Sequence, residues 1–320
     1  MKTKLFFSAL ILIGFTFYSC DPNGVNSNTG NYWERSALAR MNIKGKVKMI
    51  TLTGNNNSVT TFNESGFVSS IVNTSTDFNS TATYNYNANG QLTSVVTVST
   101  STSSGSSTST TNYEYKNTGK YIVMMPMHVY MTGLMPNISS MSTVSTTMSV
   151  RTDYVFKNNT TMLIISSNTI NSTTSKDTTT IQYSGNYPTG WTKYNMFAKD
   201  ITYASNGMFK TYTEGFSGPT YNDPRVYTFK TSDDFLMIDN VVENYVDTAT
   251  PANNRNSTET FSYNSNNDIT SDNRDGYITE YFDYVYDSHK NWTSRTSRYK
   301  DSSASAWTVG STETRTITYW

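Results

Sequence analysis

Asp287, Ser288 and His289 are consecutive in YVYDSHKNWTSR (284–295), and they are the three residue types of a hydrolytic triad. A triad works when nucleophile, base and orienting acid converge through hydrogen bonds of about 2.6–3.2 Å, as a rule from separate elements. Adjacent residues in a tight turn splay their side chains, so DSHKN reads more simply as a hairpin tip. MMPMHVYM (124–131) offers soft thioethers and one imidazole, His128, which suits Cu(I). With no second histidine or cysteine nearby, it reads as methionine filling an irregular gap. DITSDNRDG (268–276) approaches the spacing of a calcium loop, but Arg274 stands where an oxygen ligand is needed. Carboxylates such as Glu259 and Asp283 are present, yet no spacing singles out a glycosidase pair. The expectation is a non-enzymatic protein without metal or cofactor.

Two kinds of binding or modification site remain. Trp191, Trp292, Trp307 and Trp320, with 24 tyrosines, could form a surface on which sugars stack. The competing reading is that aromatics at i and i+2 cover the buried face of a sheet. Asp177-Thr178-Thr179 and Asp247-Thr248-Ala249 resemble the O-glycosylation acceptor sites of exported Bacteroidota-type proteins, which makes Thr178 and Thr248 candidate acceptors.

The start of the chain bears on where such chemistry would occur. Lys2 and Lys4 precede an apolar run from Leu5 to about Phe17, shorter than the ~20 residues of a spanning helix. The run closes on Ser19 and Cys20, the only cysteine. This resembles a bacterial lipoprotein signal, which implies that residues 1–19 are removed and that the Cys20 thiol is acylated. Residues 20–31 (CDPNGVNSNTGN) then form a polar tether, and 32–320 the folded body. No later stretch approaches 18 continuous apolar residues. The expected location is therefore exported and lipid-anchored to the outer membrane, on its periplasmic face or at the cell surface. With 24 basic and 24 acidic residues, nothing favours nucleic acid. The expected partners are the membrane, through the anchor, and a glycan or another envelope protein. Lacking a second cysteine, the body rests on packing alone.

Only 36% of residues are hydrophobic, but 14% are aromatic and the net charge is zero, which argues against disorder. Tyrosine and threonine favour half-buried strands. Nine stretches share a plan: TTFNESGFVSSIV (60–72), YNYNANGQLTSVV (84–96), YEYKNTGKYIVMM (113–125), YVFKNNTTMLIIS (154–166), IQYSGNYPTGWTKY (181–194), ITYASNGMFKTY (201–212), YTFKTSDDFLMID (227–239), FSYNSNNDITSD (261–272) and YVYDSHKNWTSR (284–295). Each has two aromatic or apolar residues at i and i+2, then a polar run, then renewed alternation. The pair shares one face of a strand. The run holds residues that tolerate a left-handed conformation, with Gly66, Gly90, Gly119 and Gly207 near its end. In the last unit Asn291 is expected to stand in for that glycine.

This pattern resembles tyrosine–aspartate (RHS/YD-type) repeats, over roughly residues 43–320. The resemblance implies a long coiled antiparallel sheet and hardly any assigned activity. Two inserts interrupt the repeats: the Ser/Thr-rich 97–112, and 121–150 with seven methionines and two prolines. YWERSALARM (32–41) has helical spacing at Trp33, Ala37 and Met41. The expected fold is all-β, with repeated hairpins forming one elongated, twisted and rolled sheet. The alternative is two β-sandwiches dividing near 140–150. The expected function is a structural or interaction module of the cell envelope, and the alternative is a carbohydrate-binding surface lipoprotein of a glycan uptake system.

Overall fold

A computed structural model describes residues 37–53, 57–103, 105–123, 134–145, 148–170, 172–230, 237–301 and 306–320. One helical turn, α1 (Ala37–Arg40), precedes the strands. The first six are β1 (Val47–Thr53), β2 (Asn57–Phe62), β3 (Val68–Thr74), β4 (Phe78–Tyr86), β5 (Leu92–Ser101) and β6 (Gly105–Tyr115). A short antiparallel pair follows, β7 (Tyr121–Val123) and β8 (Leu134–Pro136), then β9 (Ile138–Ser145), β10 (Met148–Asn158), β11 (Thr161–Ile170) and β12 (Thr173–Ser184). Next come β13 (Tyr187–Lys193), β14 (Met196–Tyr203), β15 (Phe209–Ser217), β16 (Tyr221–Lys230) and β17 (Met237–Asp247). The last are β18 (Arg255–Tyr263), β19 (Ile269–Arg274), β20 (Tyr277–Tyr286), β21 (Trp292–Lys300) and β22 (Thr308–Tyr319).

The repeat is built around one turn. In 63–67, 87–91, 264–268 and 287–291 the first residue is Asn or Asp. Its backbone N–H donates to the carbonyl four residues on, at 2.8–2.9 Å. Its side-chain oxygen accepts two backbone N–H groups of the same turn, at 2.9–3.1 Å. The fourth residue is left-handed: Gly66, Gly90, Asn267 (φ 65°) and Lys290 (φ 63°). Lys290, one position before Asn291, therefore takes the glycine's place.

A one-residue register shift follows each turn. Asn85 faces Ser94 but Tyr86 faces Leu92; Thr61 faces Ser70 but Phe62 faces Val68; Val285 faces Ser294 but Tyr286 faces Trp292. The same bulge recurs at Tyr115/Ile138, Tyr203/Phe209, Phe229/Ile238 and Tyr263/Ile269. The second aromatic of a unit then pegs itself to the unit before. Tyr86 Oη donates to the Val68 carbonyl, Tyr115 to Leu92 and Tyr263 to Ile238, each at 2.8 Å.

These bulges bear on the main departure from expectation. The sheet is neither an open roll nor split into two sandwiches: it is a closed antiparallel barrel of 20 strands. β1 pairs with β2 on one side and with β22 on the other, Ile50 facing Ile317 and Thr51 facing Thr316. Across the supposed boundary at 140–150, β9 and β10 pair with each other and with β6 and β11. Bulges increase strand twist, and a twisted sheet with two free edges removes both by joining them. Twenty strands about 4.8 Å apart and tilted about 40° would close on a circle on the order of 40 Å across.

The described repeat turns lie at one end of the barrel, since strands alternate direction. A single-layer closed sheet can bury large side chains only on its concave face, and Phe62, Leu92, Met162, Ile181 and Phe209 are fully buried. The aromatics therefore line the inside near the turns. Above them the lining becomes polar: Tyr183, Ile181, Thr179 and Asp177 succeed one another along β12. The outside is mainly polar, as in Thr312, Thr314, Thr316 and Thr318 of β22, all exposed, with valines such as Val155, Val226, Val242 and Val285 exposed among them. The Ser/Thr-rich 97–112 supplies paired lengths of β5 and β6, Thr97 facing Ser109 and Ser101 facing Gly105. The β7–β8 pair seats Ile122 in the core and stacks Tyr121 on Tyr187 at 4.8 Å. Residues 138–145 and 148–150 are barrel strand.

Residues 37–46 form a strap over the closing seam. Ala37 and Leu38 pack on Val47, Ile50, Phe62 and Val68. Asn42 Nδ2 donates to the Asn266 carbonyl at 2.9 Å. Asn291, 1% exposed, accepts from the Lys44 N–H at 2.9 Å and donates to the Lys44 carbonyl and Tyr319 Oη at 2.8 Å. Asn291→Ala is expected to cost about 1–3 kcal/mol by stranding these groups. It should also speed amide exchange in β1 and β22 while leaving β10 and β11 protected. Unaltered exchange at the seam would show that the strap does not hold it.

Candidate functional site

In step with the inward aromatics, the concave face of β15–β19 carries charge. Glu214 follows Tyr212, Asp223 and Arg225 precede Tyr227, Glu243 follows Val241, and Arg255, Ser257 and Glu259 precede Phe261. The registers set Arg225 opposite Glu243, Glu243 opposite Ser257 and Glu259 opposite Arg274.

Glu243 is the centre of this wall, its side chain 2% exposed. It accepts from Arg274 at 2.6 Å, Arg255 at 2.9 Å, Arg225 at 3.3 Å and Ser257 at 3.4 Å. Burial pushes its carboxyl up, but the Arg255 hydrogen bond and the three guanidinium charges outweigh that and hold it down at about 2. Arg255 and Arg274 are 58% and 49% exposed although they face inward, so solvent reaches this level of the lumen. Beside them Asp272 is pushed up to about 7, by burial first and then by the charge and hydrogen bond of Glu259, with Arg274 opposing. Burial also raises Asp223.

A second charged group lines the seam. Two guanidiniums lie over the Trp292 ring, Arg315 at 3.9 Å and Arg295 at 4.7 Å from its centroid. Arg295 donates to Glu313 at 2.6 Å and lies over Tyr281 at 4.4 Å. Carboxylates locked by arginines are poor bases, so these walls are suited to holding charged groups rather than moving protons.

The residues singled out in the sequence are scattered. Trp191 and Trp292 lie in the core at 7% and 6% exposure, which leaves little ring face for a sugar. Trp307 is half-buried on the outer side, with Arg298 over its ring at 4.3 Å and Lys300 at 5.4 Å. Trp320 is half-exposed beside Lys48. Thr178 is exposed on the outer face of β12, next to Asp177, which pairs with Lys193 at 2.6 Å. Thr248 is exposed in the loop after β17 and donates to the Thr220 carbonyl at 3.0 Å. Asp287 caps its turn and takes the Tyr319 hydroxyl, while the His289 ring stacks on Tyr319 at 4.0 Å. Asp268, Asp272 and Asp275 do not converge: Asp268 takes the Tyr286 hydroxyl, Asp272 meets Glu259 and Asp275 takes the Thr258 N–H. Among the described residues no cluster of three His, Cys, Asp or Glu could hold a metal. Cys20 and the MMPMHVYM segment lie outside the described residues.

Sequence reasoning missed Glu243, its three arginines, Asp272 and the seam arginines. On β16 to β18 the signal was available as charges in phase with the aromatic pair. On β19 and β21 the bulge shifts the phase, so that Asp272 and Arg295 face inward three residues after Ile269 and Trp292.

Glu243→Ala, which leaves three partly solvated arginines without their shared carboxylate, should cost about 1–3 kcal/mol in urea unfolding. Glu243, held below its unfolded value, contributes stability above about pH 4.5 that fades toward pH 2. Asp272 works the other way: its contribution is complete below about pH 4 and lost as pH rises through about 7. Urea midpoints should therefore fall between pH 5 and pH 8 in the wild type and fall less in Asp272→Asn. Parallel curves for the two proteins would refute this role of Asp272.

No family model matches the chain, and no curated protein sequence matches it. Among solved structures it is similar to a porin-like protein from Bacteroides uniformis, at 13% identity and a TM-score of 0.34, over 86% of this chain and 98% of that one. It is also similar to the Tc holotoxin pore of Photorhabdus luminescens, at 8% identity and a TM-score of 0.20, over 77% of this chain but only 17% of that one. Neither likeness is strong enough to carry fold or function to this chain.

Proposed function

We propose that the protein is a non-enzymatic, lipid-tethered module of the cell envelope, whose barrel stands clear of the bilayer and serves a structural or interaction role. The carrying observation is the polarity of the wall. A barrel that crosses a membrane needs an outward apolar band about 25 Å tall, flanked by aromatic girdles. Here most described aromatics face in, and those outside, such as Phe197, Phe282 and Trp307, are scattered under Lys199 and Arg298 and form no girdle. The outward positions of β4 are Asn79, Thr81, Thr83 and Asn85, and those of β18 are Asn256, Thr258, Thr260 and Ser262. On the outer side of β10, Arg151 pairs with Asp153 at 2.9 Å and with Glu114 at 3.6 Å. A single Arg or Lys at the bilayer midplane costs a barrel about 2–4 kcal/mol. A body of this kind reaches a membrane through an anchor, and Cys20 supplies one.

The tyrosine pegs and capped turns support the tyrosine–aspartate reading of the repeat. Burial of Trp191 and Trp292 weighs against the carbohydrate-binding alternative, in which Trp307 would be the remaining platform.

Fractionation of cells making the full chain tests the tether. Wild type should pellet with membranes through a carbonate wash and be released by detergent. Cys20→Ser should appear in the aqueous fraction, folded and detergent-free. If Cys20→Ser stays in washed membranes, the barrel itself is embedded and the proposal is wrong.

A further inference from the structure

We propose that Arg315, with Lys44 and Arg295, forms a lumenal binding site for a single anionic group, a phosphate, sulfate or carboxylate. The site lies under the strap, at the seam between β21, β22 and the 37–46 segment.

The argument starts from Arg315. Its position on β22, in phase with Ile317 and Tyr319, points it into the lumen, where it is partly exposed. Its Nε donates to the Trp292 carbonyl and its Cζ sits over the Trp292 ring, 3.9 Å from the centroid. Those contacts fix the guanidinium but do not neutralise it. Among the described residues no carboxylate stands within ion-pair distance of Arg315, whereas Arg295 has Glu313 at 2.6 Å. The acids in its field are committed elsewhere. Asp287 takes the Tyr319 hydroxyl and two backbone N–H groups, and Asp268 takes the Tyr286 hydroxyl at 3.0 Å. Lys44 is a second cation in the same field. Among the described residues its ammonium makes one long bond, 3.5 Å, to the Asn266 carbonyl.

The charges that act on one another here are Lys44, Lys290, Arg295 and Arg315 against Asp268, Asp287 and Glu313. That leaves one positive charge in excess. Burial depresses both Lys44 and Arg315, the latter to about 10, with Arg295 adding to the effect on Arg315. A desolvated guanidinium held on an indole with no carboxylate at ion-pair distance is pre-organised for an anion, which it can meet with two parallel N–H donors. Among the described residues only Nε of Arg315 makes a hydrogen bond, which leaves its Nη groups for the anion.

Trp292 supplies the readout, since an anion that engages Arg315 alters the charge against the indole. The full chain in detergent is titrated with inorganic phosphate, sulfate or acetate, against chloride at matched ionic strength, following tryptophan fluorescence and the thermal midpoint. Saturable responses absent with chloride are expected. The ranking of the three probes shows whether phosphate, sulfate or carboxylate is preferred. Arg315→Gln should weaken binding at least about tenfold, the loss of a charge-assisted pair. Arg298→Gln, on the outer face and paired with Glu280, should bind as wild type does. A response that follows ionic strength alone, or an Arg315→Gln titration matching wild type, overturns the proposal. Should Arg315→Gln fail to fold, Lys44→Gln decides instead: weaker binding is expected, and an unchanged titration overturns the proposal.

Discussion

The bulge after each tight turn is the constraint on which the barrel depends. One extra residue, Ser69, Thr93, Thr270 or Thr293, makes the returning strand advance by three before it faces inward again. The shift does two things at once. It sharpens the local twist, which bends a run of hairpins toward closure. It also leaves the carbonyl of the residue opposite the second aromatic free to be claimed by the next unit's tyrosine, as Val68 is by Tyr86 and Leu92 by Tyr115. A hydroxyl buried in an aromatic layer must find an acceptor, and this one finds it in the preceding repeat. Each unit is thereby registered on the one before it, and curvature accumulates in one direction.

Closure in turn settles where the apolar surface goes. A sheet with one aromatic face and no second layer leaves that face wet unless it rolls up, and rolling removes its two open edges as well. The polarity that results leans opposite to a membrane barrel's, with threonine and asparagine the commonest outward residues and most tyrosines inward, although single valines and Phe197 and Phe282 lie outside. The first and last strands have to find each other over a span of intervening chain on the order of 250 residues, an expensive contact in loop entropy. The strap is the local answer. It lays α1 on the β2–β3 turn, with the Leu38 N–H donating to the Gly66 carbonyl, and fastens Lys44 to Asn291 just before β1 begins. The last residue then donates its N–H to the Lys46 carbonyl.

Much of this could be read from the residues, and some could not. All-β character, the paired inward aromatics and the turn positions follow from periodicity and from Asn, Asp and Gly. Closure does not, because local sequence states a strand's faces but not its curvature, and nothing in KVKMITLT says that its edge partner is TETRTITY. The left-handed residue of the last repeat stands one position earlier than the pattern suggests, since Lys290 occupies it where a glycine would have been unmistakable. DSHKN is therefore a capped turn in which Asp287 holds the backbone and Asn291 holds the strap. The charged wall was half legible. Glu243 and Arg225 keep phase with their aromatics, but Asp272 and Arg295 fall three residues beyond a bulge, where strict alternation assigns them to the outside.

The distribution of charge inside the barrel carries the last step. On the β3–β6 side the lining above the aromatics is small and neutral, Ser80 and Ala82 on β4 and Thr97 on β5. On the β16–β22 side the same level holds arginines and carboxylates. Packing does not require the difference, because serine and threonine line the other wall of the same sheet. Buried ion networks are weak contributors to stability and costly when incomplete. A wall that keeps Glu243 under three arginines, and Arg315 with no described carboxylate at ion-pair distance, is better explained by what the lumen meets than by what the fold needs.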